Sequence, residues 1–366
     1  MIIFKNLVFF LNIKNEKKIL EIDFIKVLSA FGIISFHFAC HIKSEKKFVF
    51  MSSGTTYGFL FVNIFWIVSG ALHFYNNSEI KSLRHYYFKK FKALAPSFYI
   101  LYTYIYFKNV FIKGKFFFRP VNPFNLIYSI LLLDGYFKIF KINTIYLSIG
   151  EWFLGALIII HFLYPIILYG FKNLFIQTLL IDIFFFSFLI HGKYFIFYEK
   201  NIIICITLFI LGMIIIKYIN LDNISFLVIS LFIMLIYYFV NISIKKRFLI
   251  DVFYSPFFFC ILFWIGKFIM KVKILNIIVS KISQISYQFF LLQHIVIFKI
   301  IYFFPKSSSN ITYFCILFLC IITTIIFSFL LHWLSTKFIQ TKMFIDFENW
   351  ILINSLNNNF KKKIEN

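Results

Sequence analysis

A carboxylate, an ammonium group and two histidines are spaced along the stretch EIDFIKVLSAFGIISFHFACH, residues 21–41. At about 100° of rotation per residue, Asp23, Lys26, His37 and His41 fall within roughly 40° of one line down a helix. Most of the other residues in the stretch are apolar or small. Because ionisable groups are costly in hydrocarbon, this polar face predicts a functional path that points into the interior of a helix bundle.

His37 is the side chain of this stretch best suited to proton transfer, since a neutral imidazole titrates near neutral pH. Asp23 lies fourteen positions earlier, roughly 21 Å along a helix at about 1.5 Å per residue. The two side chains therefore cannot contact each other within this helix, and Asp23 is expected to order the helix entrance or a lysine cluster. The alternative for a histidine near a helix end is an interfacial residue that reaches headgroups or water.

The composition is that of an integral membrane protein. Of the 366 residues, 61% are hydrophobic and 14% are charged, against about 45–50% and about 25% in soluble domains. Apolar runs near the roughly 17–25 residues that a bilayer requires lie near residues 22–41, 57–75, 94–110, 149–170, 174–190, 202–219, 224–240, 251–270, 284–303 and 312–336. We therefore predict an all-α integral membrane bundle of about ten transmembrane helices.

The stretch 122–137, NPFNLIYSILLLDGYF, is apolar but short, and it carries Asn, Asp and Gly. We expect an interfacial or re-entrant segment there. With ten spans both termini lie on one side, and the loop lysines and arginines favour the cytoplasm. The predicted organisation is a cytoplasmic N-terminal segment (1–18), a membrane domain (19–340) and a cytoplasmic C-terminal tail (341–366).

The formal net charge of +23 comes from short basic clusters between apolar runs. Such clusters suit anionic membrane lipids and argue against nucleic acid as a partner. The five cysteines have no CxxC spacing, which argues against a disulfide framework or a zinc site. His37 and His41 could hold a metal at their i, i+4 spacing, but no HExxH motif or third ligand accompanies them. No metal is expected.

The spacing of Asp23, Lys26 and His37 resembles the first-helix signature of the acyltransferase 3 family, whose members are multi-pass membrane acyltransferases. That family usually has Arg where this chain has Lys26. The second span ends in FWIVSG, which resembles the family's Phe-Phe-x-x-Ser-Gly motif through Ser69 and Gly70. Small residues at this place also allow two helices to approach closely, which is the alternative interpretation.

Two later spans carry further resemblance. The segment GEWFLGALIIIHFLYPIIL resembles the family's Trp-Phe-Leu variant of its central motif through Trp152, although tryptophan is also common at membrane interfaces. The segment SQISYQFFLLQHIVIF resembles the late Ser-Tyr-x-x-x-Leu-x-x-His pattern through Ser286, Tyr287 and His294. We expect these three residues to meet the face of His37 across the bundle.

The segment HYYFKKFKALAPSFYI leads into the third span with Lys89, Lys90 and Lys92. Many family members have two arginines three apart here, followed by proline. The resemblance implies that the three lysines hold the phosphates of an acyl-coenzyme A donor that arrives from the cytosol. The alternative is an ordinary positively charged anchor on the cytoplasmic side.

The resemblance as a whole implies a membrane O-acyltransferase of the cell (inner, cytoplasmic) membrane. Acyl-coenzyme A, with acetyl as the expected acyl group, would be the co-substrate, and a hydroxyl of a surface polysaccharide or of its lipid-linked sugar precursor would be the acceptor. His37 would be the general base. Supporting roles would fall to Asp23, Lys26, Ser69, Trp152, Ser286, Tyr287 and His294. The competing hypothesis is a transporter or flippase of lipid-linked sugars, whose interior path would also need cations and histidines.

Overall fold

The computed structural model describes residues 19–42, 57–113, 123–142, 144, 149, 151–191, 200–239, 244–304 and 310–352, and all the regular secondary structure in these ranges is helical. The helices are α1 (Leu20–Ile42), α2 (Tyr57–Asn76), α3 (Leu83–Lys113), α4 (Leu126–Ile130), α5 (Asp134–Phe137), α6 (Glu151–Asn173), α7 (Phe175–His191), α8 (Ile202–Tyr218), α9 (Ile224–Phe239), α10 (Ile244–Ile269), α11 (Lys273–Gln284), α12 (Ser286–Phe303), α13 (Asn310–Ile339) and α14 (342–352). The all-α prediction is confirmed.

Six of these helices are long and apolar enough to cross a membrane, namely α1, α2, α6, α10, α12 and α13. Three further apolar helices, α7, α8 and α9, have 16 or 17 residues. At about 1.5 Å per residue they extend roughly 25 Å, which is less than the ~30 Å hydrocarbon core. The chain is thus a multi-pass membrane protein whose predicted span positions fall on helices, but the count of ten spans is not confirmed.

Helix α1 is the centre of the bundle, since it packs against α2, α10, α11, α12 and α13. Its side chains Ile22, Ile25 and Ile34 have no exposed surface. Its other buried positions carry small residues as well as large apolar ones, which lets neighbouring helices approach closely. Lys26 and His37 of its polar stripe contact α11 and α12, so this stripe faces other helices.

Helices α2 and α8 approach each other with almost no side chain between them. A Cβ atom on Gly70 would overlap the backbone carbonyl of Phe209, and one on Gly212 would overlap the carbonyl of Ile67. The packing interpretation of the Ser-Gly pair is therefore confirmed for Gly70, because only glycine leaves room for the facing backbone.

Residues 123–140 consist of helical pieces three to five residues long, including the 3₁₀ turns Pro123–Asn125 and Lys138–Phe140. Ser129 Oγ donates to Asp134 Oδ2 at 2.7 Å, and the Tyr102 hydroxyl of α3 lies 2.8 Å from Ser129 Oγ. Burial raises the pKa of Asp134 to about 6. Pieces this short cannot span a bilayer, in agreement with the expected interfacial or re-entrant segment.

Helix α14 folds back onto the start of α3. Lys92 Nζ forms a 2.6 Å salt bridge with Glu348, and an Arg84 guanidinium nitrogen donates to the Ile351 carbonyl at 2.9 Å. Part of the predicted C-terminal tail is therefore an ordered helix. The remainder, residues 353–366, and the N-terminal segment 1–18 lie outside the described residues.

The glycine contact gives a direct test of the packing between α2 and α8. We expect Gly70→Ala to destabilise the protein by about 1–3 kcal/mol or more, because the new methyl group meets a rigid backbone carbonyl. Gly266→Ala is the matched control, since its Cβ would meet the Phe24 ring at 3.0 Å and the Glu21 backbone only at 3.3 and 3.4 Å, contacts that a small shift can relieve. Thermal unfolding in detergent compares the two variants, and equal midpoints would contradict the close helix contact.

Candidate active site

The charged start of α1 is hydrogen-bonded to the end of α11. Ser283 Oγ donates to Asp23 Oδ1 at 2.6 Å, and Lys26 Nζ donates to the Ser283 backbone carbonyl at 3.0 Å. One serine thus satisfies groups of both charged residues. This agrees with the expectation that Asp23 orders the helix entrance and does not orient His37.

Three histidines cluster toward the other end of α1. The rings of His37 and His294 have centroids 4.2 Å apart, and His41 Nε2 lies 3.4 Å from His294 Nδ1. His294 is buried on α12, which runs beside α1. The predicted contact between His37 and His294 is therefore confirmed, and it joins the two helices through a pair of imidazoles.

His37 lines a cavity of about 240 Å³, here called the histidine cavity. Trp152, the central-motif residue, lines the same cavity, and so does Lys200 just before α8. The remaining wall is apolar and consists of Ile33, Phe36, Phe59, Val62, Phe65, Phe153 and Phe290. A base, a cation and a tryptophan thus share one otherwise apolar space, and an apolar lining strengthens the electrostatic interactions of the few polar groups inside it.

A second cavity, of about 270 Å³, lies at the end of the bundle where α1 begins. We call it the lysine cavity, because Lys26, Lys89 and Lys90 line it. Its other polar lining residues are Ser69, His73, Asn76, Asn77, Ser286 and Tyr287. Ammonium groups with amide and hydroxyl neighbours can hold an anion such as a phosphate.

The two cavities divide the predicted site residues between them. Ser286 and Tyr287 do not meet His37, which corrects the expectation that they do. They lie in the first turn of α12, roughly 10 Å before His294, and the Tyr287 hydroxyl donates to the Leu94 carbonyl at 3.0 Å. Only His294, two turns further along α12, reaches the level of His37.

The lysine cluster of α3 is divided as well. Lys89 and Lys90 line the lysine cavity. Lys92 instead forms its salt bridge with Glu348 of α14, so its ammonium group is held at the opposite side of α3. Around a helix, position 92 lies about 160° from position 90 but only about 60° from position 89. Lys92 is therefore opposite Lys90 in particular.

A hydrogen-bonded chain behind the lysine cavity includes side chains that sequence reasoning missed. The Tyr86 hydroxyl donates to the His161 carbonyl at 3.1 Å and lies 2.8 Å from His73 Nε2, while Lys90 Nζ lies 3.4 Å from His73 Nδ1. Because an ammonium group can only donate, His73 Nδ1 is the acceptor and Nε2 carries the proton. His73 therefore fixes the position of Lys90.

No sequence pattern separates His73 and Tyr86 from the chain's other aromatic residues, since they come from different helices and have no characteristic spacing. The available signal was that His73 lies in the last turn of α2 and that Tyr86 comes three residues before the lysine cluster. Within the residues that the structure describes, no group of three or more His, Cys, Asp or Glu side chains could hold a metal ion.

These observations define a class of protein. The chain is an all-helical membrane protein with a half-buried histidine in one cavity and a cluster of lysines in a second, adjoining cavity. This division suits group transfer between a charged donor and a second substrate inside the membrane.

Residues 19–333 match the sequence model of the acyltransferase domain of the acyltransferase 3 family. The match covers nearly the whole chain, and the chain therefore belongs to this family. Searches of curated proteins and of solved structures found no match. Membership implies acyltransferase activity, and it agrees with the resemblance found in the sequence.

The histidine contact can be tested with cysteine pairs in a background that lacks the five native cysteines. We expect Cys at positions 37 and 294 to crosslink readily with short bifunctional thiol reagents, because the two rings are in contact. The pair at positions 37 and 287 is the control and should react much more slowly, since Tyr287 lies at the lysine cavity. Equal crosslinking of both pairs would contradict the placement of α12.

Proposed function

We propose that this protein is a membrane O-acyltransferase that moves an acyl group, acetyl in the first instance, from acyl-coenzyme A to a hydroxyl of a cell-surface glycan or of its lipid-linked precursor. The observation that carries the proposal is that the cavity of His37 adjoins a cavity lined by lysines, in a chain of the acyltransferase 3 family. The protein acts in the cytoplasmic (inner) membrane and takes its donor from the cytosol.

The donor binds at the lysine cavity. Lys89 and Lys90 pair with its phosphates, and Lys26 adds positive charge from α1. His73 holds Lys90 through the contact at Nδ1, so that the ammonium group is oriented before the donor arrives. The pantetheine arm then extends through the cavity toward Phe153 and the histidine cavity beyond it.

The acceptor hydroxyl lies beside His37. The neutral imidazole removes the hydroxyl proton while the oxygen forms a bond to the thioester carbonyl carbon. The carbon–sulfur bond then breaks, and the leaving thiolate takes the proton from the imidazolium, which yields an ester and free coenzyme A. His294 holds the His37 ring in position through their contact. An acyl-imidazole intermediate is a less favoured variant of this route.

Lys200 lines the same cavity as His37. A cation there can stabilise the negative charge that develops on the carbonyl oxygen in the transition state. Trp152 supplies a flat apolar wall of the kind on which sugar rings stack. Lys200 thus stabilises charge in the transition state and Trp152 contacts the sugar, and both roles extend the hypothesis drawn from the sequence.

A flippase of lipid-linked sugars would use a similar interior path. Membership of an acyltransferase family favours the enzyme, and dependence on acyl-coenzyme A distinguishes the two functions. Mass spectrometry of surface glycans from cells with and without the gene tests the acceptor class directly. A gene-dependent loss of acyl groups from glycans supports transfer, whereas a loss of the glycan itself supports transport.

His37→Ala should lower acyl transfer by about 10²–10⁴-fold, the usual contribution of a general base, while leaving expression and membrane insertion intact. Transfer is measured as label moved from acetyl-coenzyme A to the glycan fraction of membrane vesicles. His41→Ala should have a much smaller effect, because His41 contacts His294 and does not line the histidine cavity. Full activity in a well-expressed His37→Ala variant would overturn the assignment of the base.

Lys90→Gln should raise the KM for acyl-coenzyme A about tenfold or more, with a smaller change in kcat, because it removes a charged partner of the phosphates. The increase should be larger at low ionic strength. Lys92→Gln is the matched control, since Lys92 is paired with Glu348. This substitution should leave the KM for acyl-coenzyme A unchanged. Equal effects of the two substitutions would favour a general anchoring role for the cluster.

A further inference from the structure

Three phenylalanines line both cavities: Phe65 of α2, Phe153 of α6 and Phe290 of α12. The centroid of the Phe153 ring lies 5.4 Å from that of Phe65 and 5.1 Å from that of Phe290, each in a T-shaped arrangement. Because the three rings face both spaces, they form the wall between them. We call this wall the aromatic septum.

The septum is held at its centre and less constrained at its sides. The Phe153 ring lies 4.2 Å from the Trp66 ring, centroid to centroid, and is 5% exposed. Phe65 and Phe290 are only partly buried. Edge-to-face contacts of this kind stabilise the arrangement of the three rings, so a chain that passes from one cavity to the other must pass between them or displace them.

The septum separates the two substrates of the proposed reaction. Lys26, Lys89 and Lys90 line only one cavity, and His37 lines only the other. Lys26 and His37 lie eleven residues apart on α1, roughly 16 Å along the helix axis. A donor held by its phosphates must therefore send its acyl group between the three rings before the thioester carbon can meet a hydroxyl beside His37.

We infer that the aromatic septum selects the acyl group by length, and that it admits acetyl and excludes longer chains. This inference rests on the proposed function. Acetyl places a single methyl group beyond the thioester carbonyl. Each further methylene must pass the closely spaced rings and then share the histidine cavity, which the same rings line, with the acceptor. A well-packed protein wall discriminates by about 10- to 200-fold for one methylene, so Phe65, Phe153 and Phe290 are specificity-determining residues.

The inference is tested in membrane vesicles that carry the native acceptor. The vesicles receive acetyl-, butyryl- or hexanoyl-coenzyme A, and mass spectrometry measures the acyl groups added to the glycan fraction. His37→Ala vesicles provide the blank. We expect the wild-type protein to transfer acetyl at least tenfold more efficiently than butyryl, and to transfer hexanoyl least of all.

Phe290→Leu and Phe65→Leu should each raise the ratio of butyryl to acetyl transfer about tenfold, since a smaller side chain widens the opening. Both residues are only partly buried, so the variants should retain the fold more readily than a change at Phe153. Phe171→Leu is the matched control, because Phe171 is fully buried in the same core and lines neither cavity. It should leave the ratio unchanged even if it lowers stability.

The ratio of two donors compares the same enzyme with itself, so partial loss of folded protein cancels. Wild-type vesicles that transfer no acyl group from any coenzyme A thioester would refute the proposed function. Wild-type vesicles that transfer acetyl and hexanoyl equally well would refute only the septum. Unchanged ratios of butyryl to acetyl transfer in Phe290→Leu and Phe65→Leu would also refute only the septum. They would show that these rings pack in the protein without controlling the length of the acyl group.

Discussion

The contact between His37 and His294 is the constraint on which the geometry of the candidate active site depends. An imidazole inside hydrocarbon needs a polar neighbour, since an unsatisfied polar group there costs several kcal/mol. Asp23, on the same helix, is too far away and interacts with Ser283 instead. Pairing His37 with His294 fixes α1 against α12 and brings a residue near the chain's beginning beside one near its end.

That pairing also sets the height at which chemistry takes place. The charged start of α1 is tied to Ser283, and His37 and His41 lie toward the other end of the helix. Lys26 and the base are therefore held at different depths of one helix, and each lines a cavity of its own. The aromatic septum between the cavities follows from this division, because three helices meet there without a polar group.

The lysine end of the bundle is organised by neighbours that the local sequence does not show. His73 orients Lys90 through a chain that ends on the His161 carbonyl. Glu348 of α14 holds Lys92 on the other side of α3. Three lysines that are close in sequence thus have two different environments, and only two of the three are available to an anionic ligand in the lysine cavity.

The sequence by itself determined the helical membrane class, the positions of the main helices, the family and the polar stripe with His37. The class, the helices and the stripe follow from composition and from periodicity along single helices, which local physics controls, and the family follows from the resemblance of its motifs. Only the tertiary structure decided that His294 meets His37 while Ser286 and Tyr287 do not, and that His73, Tyr86 and Lys200 belong to the cavities. Apolar helices in lipid can pack in many ways, and the choice among those packings is made by contacts such as Gly70 against the Phe209 carbonyl, between residues that lie far apart along the chain.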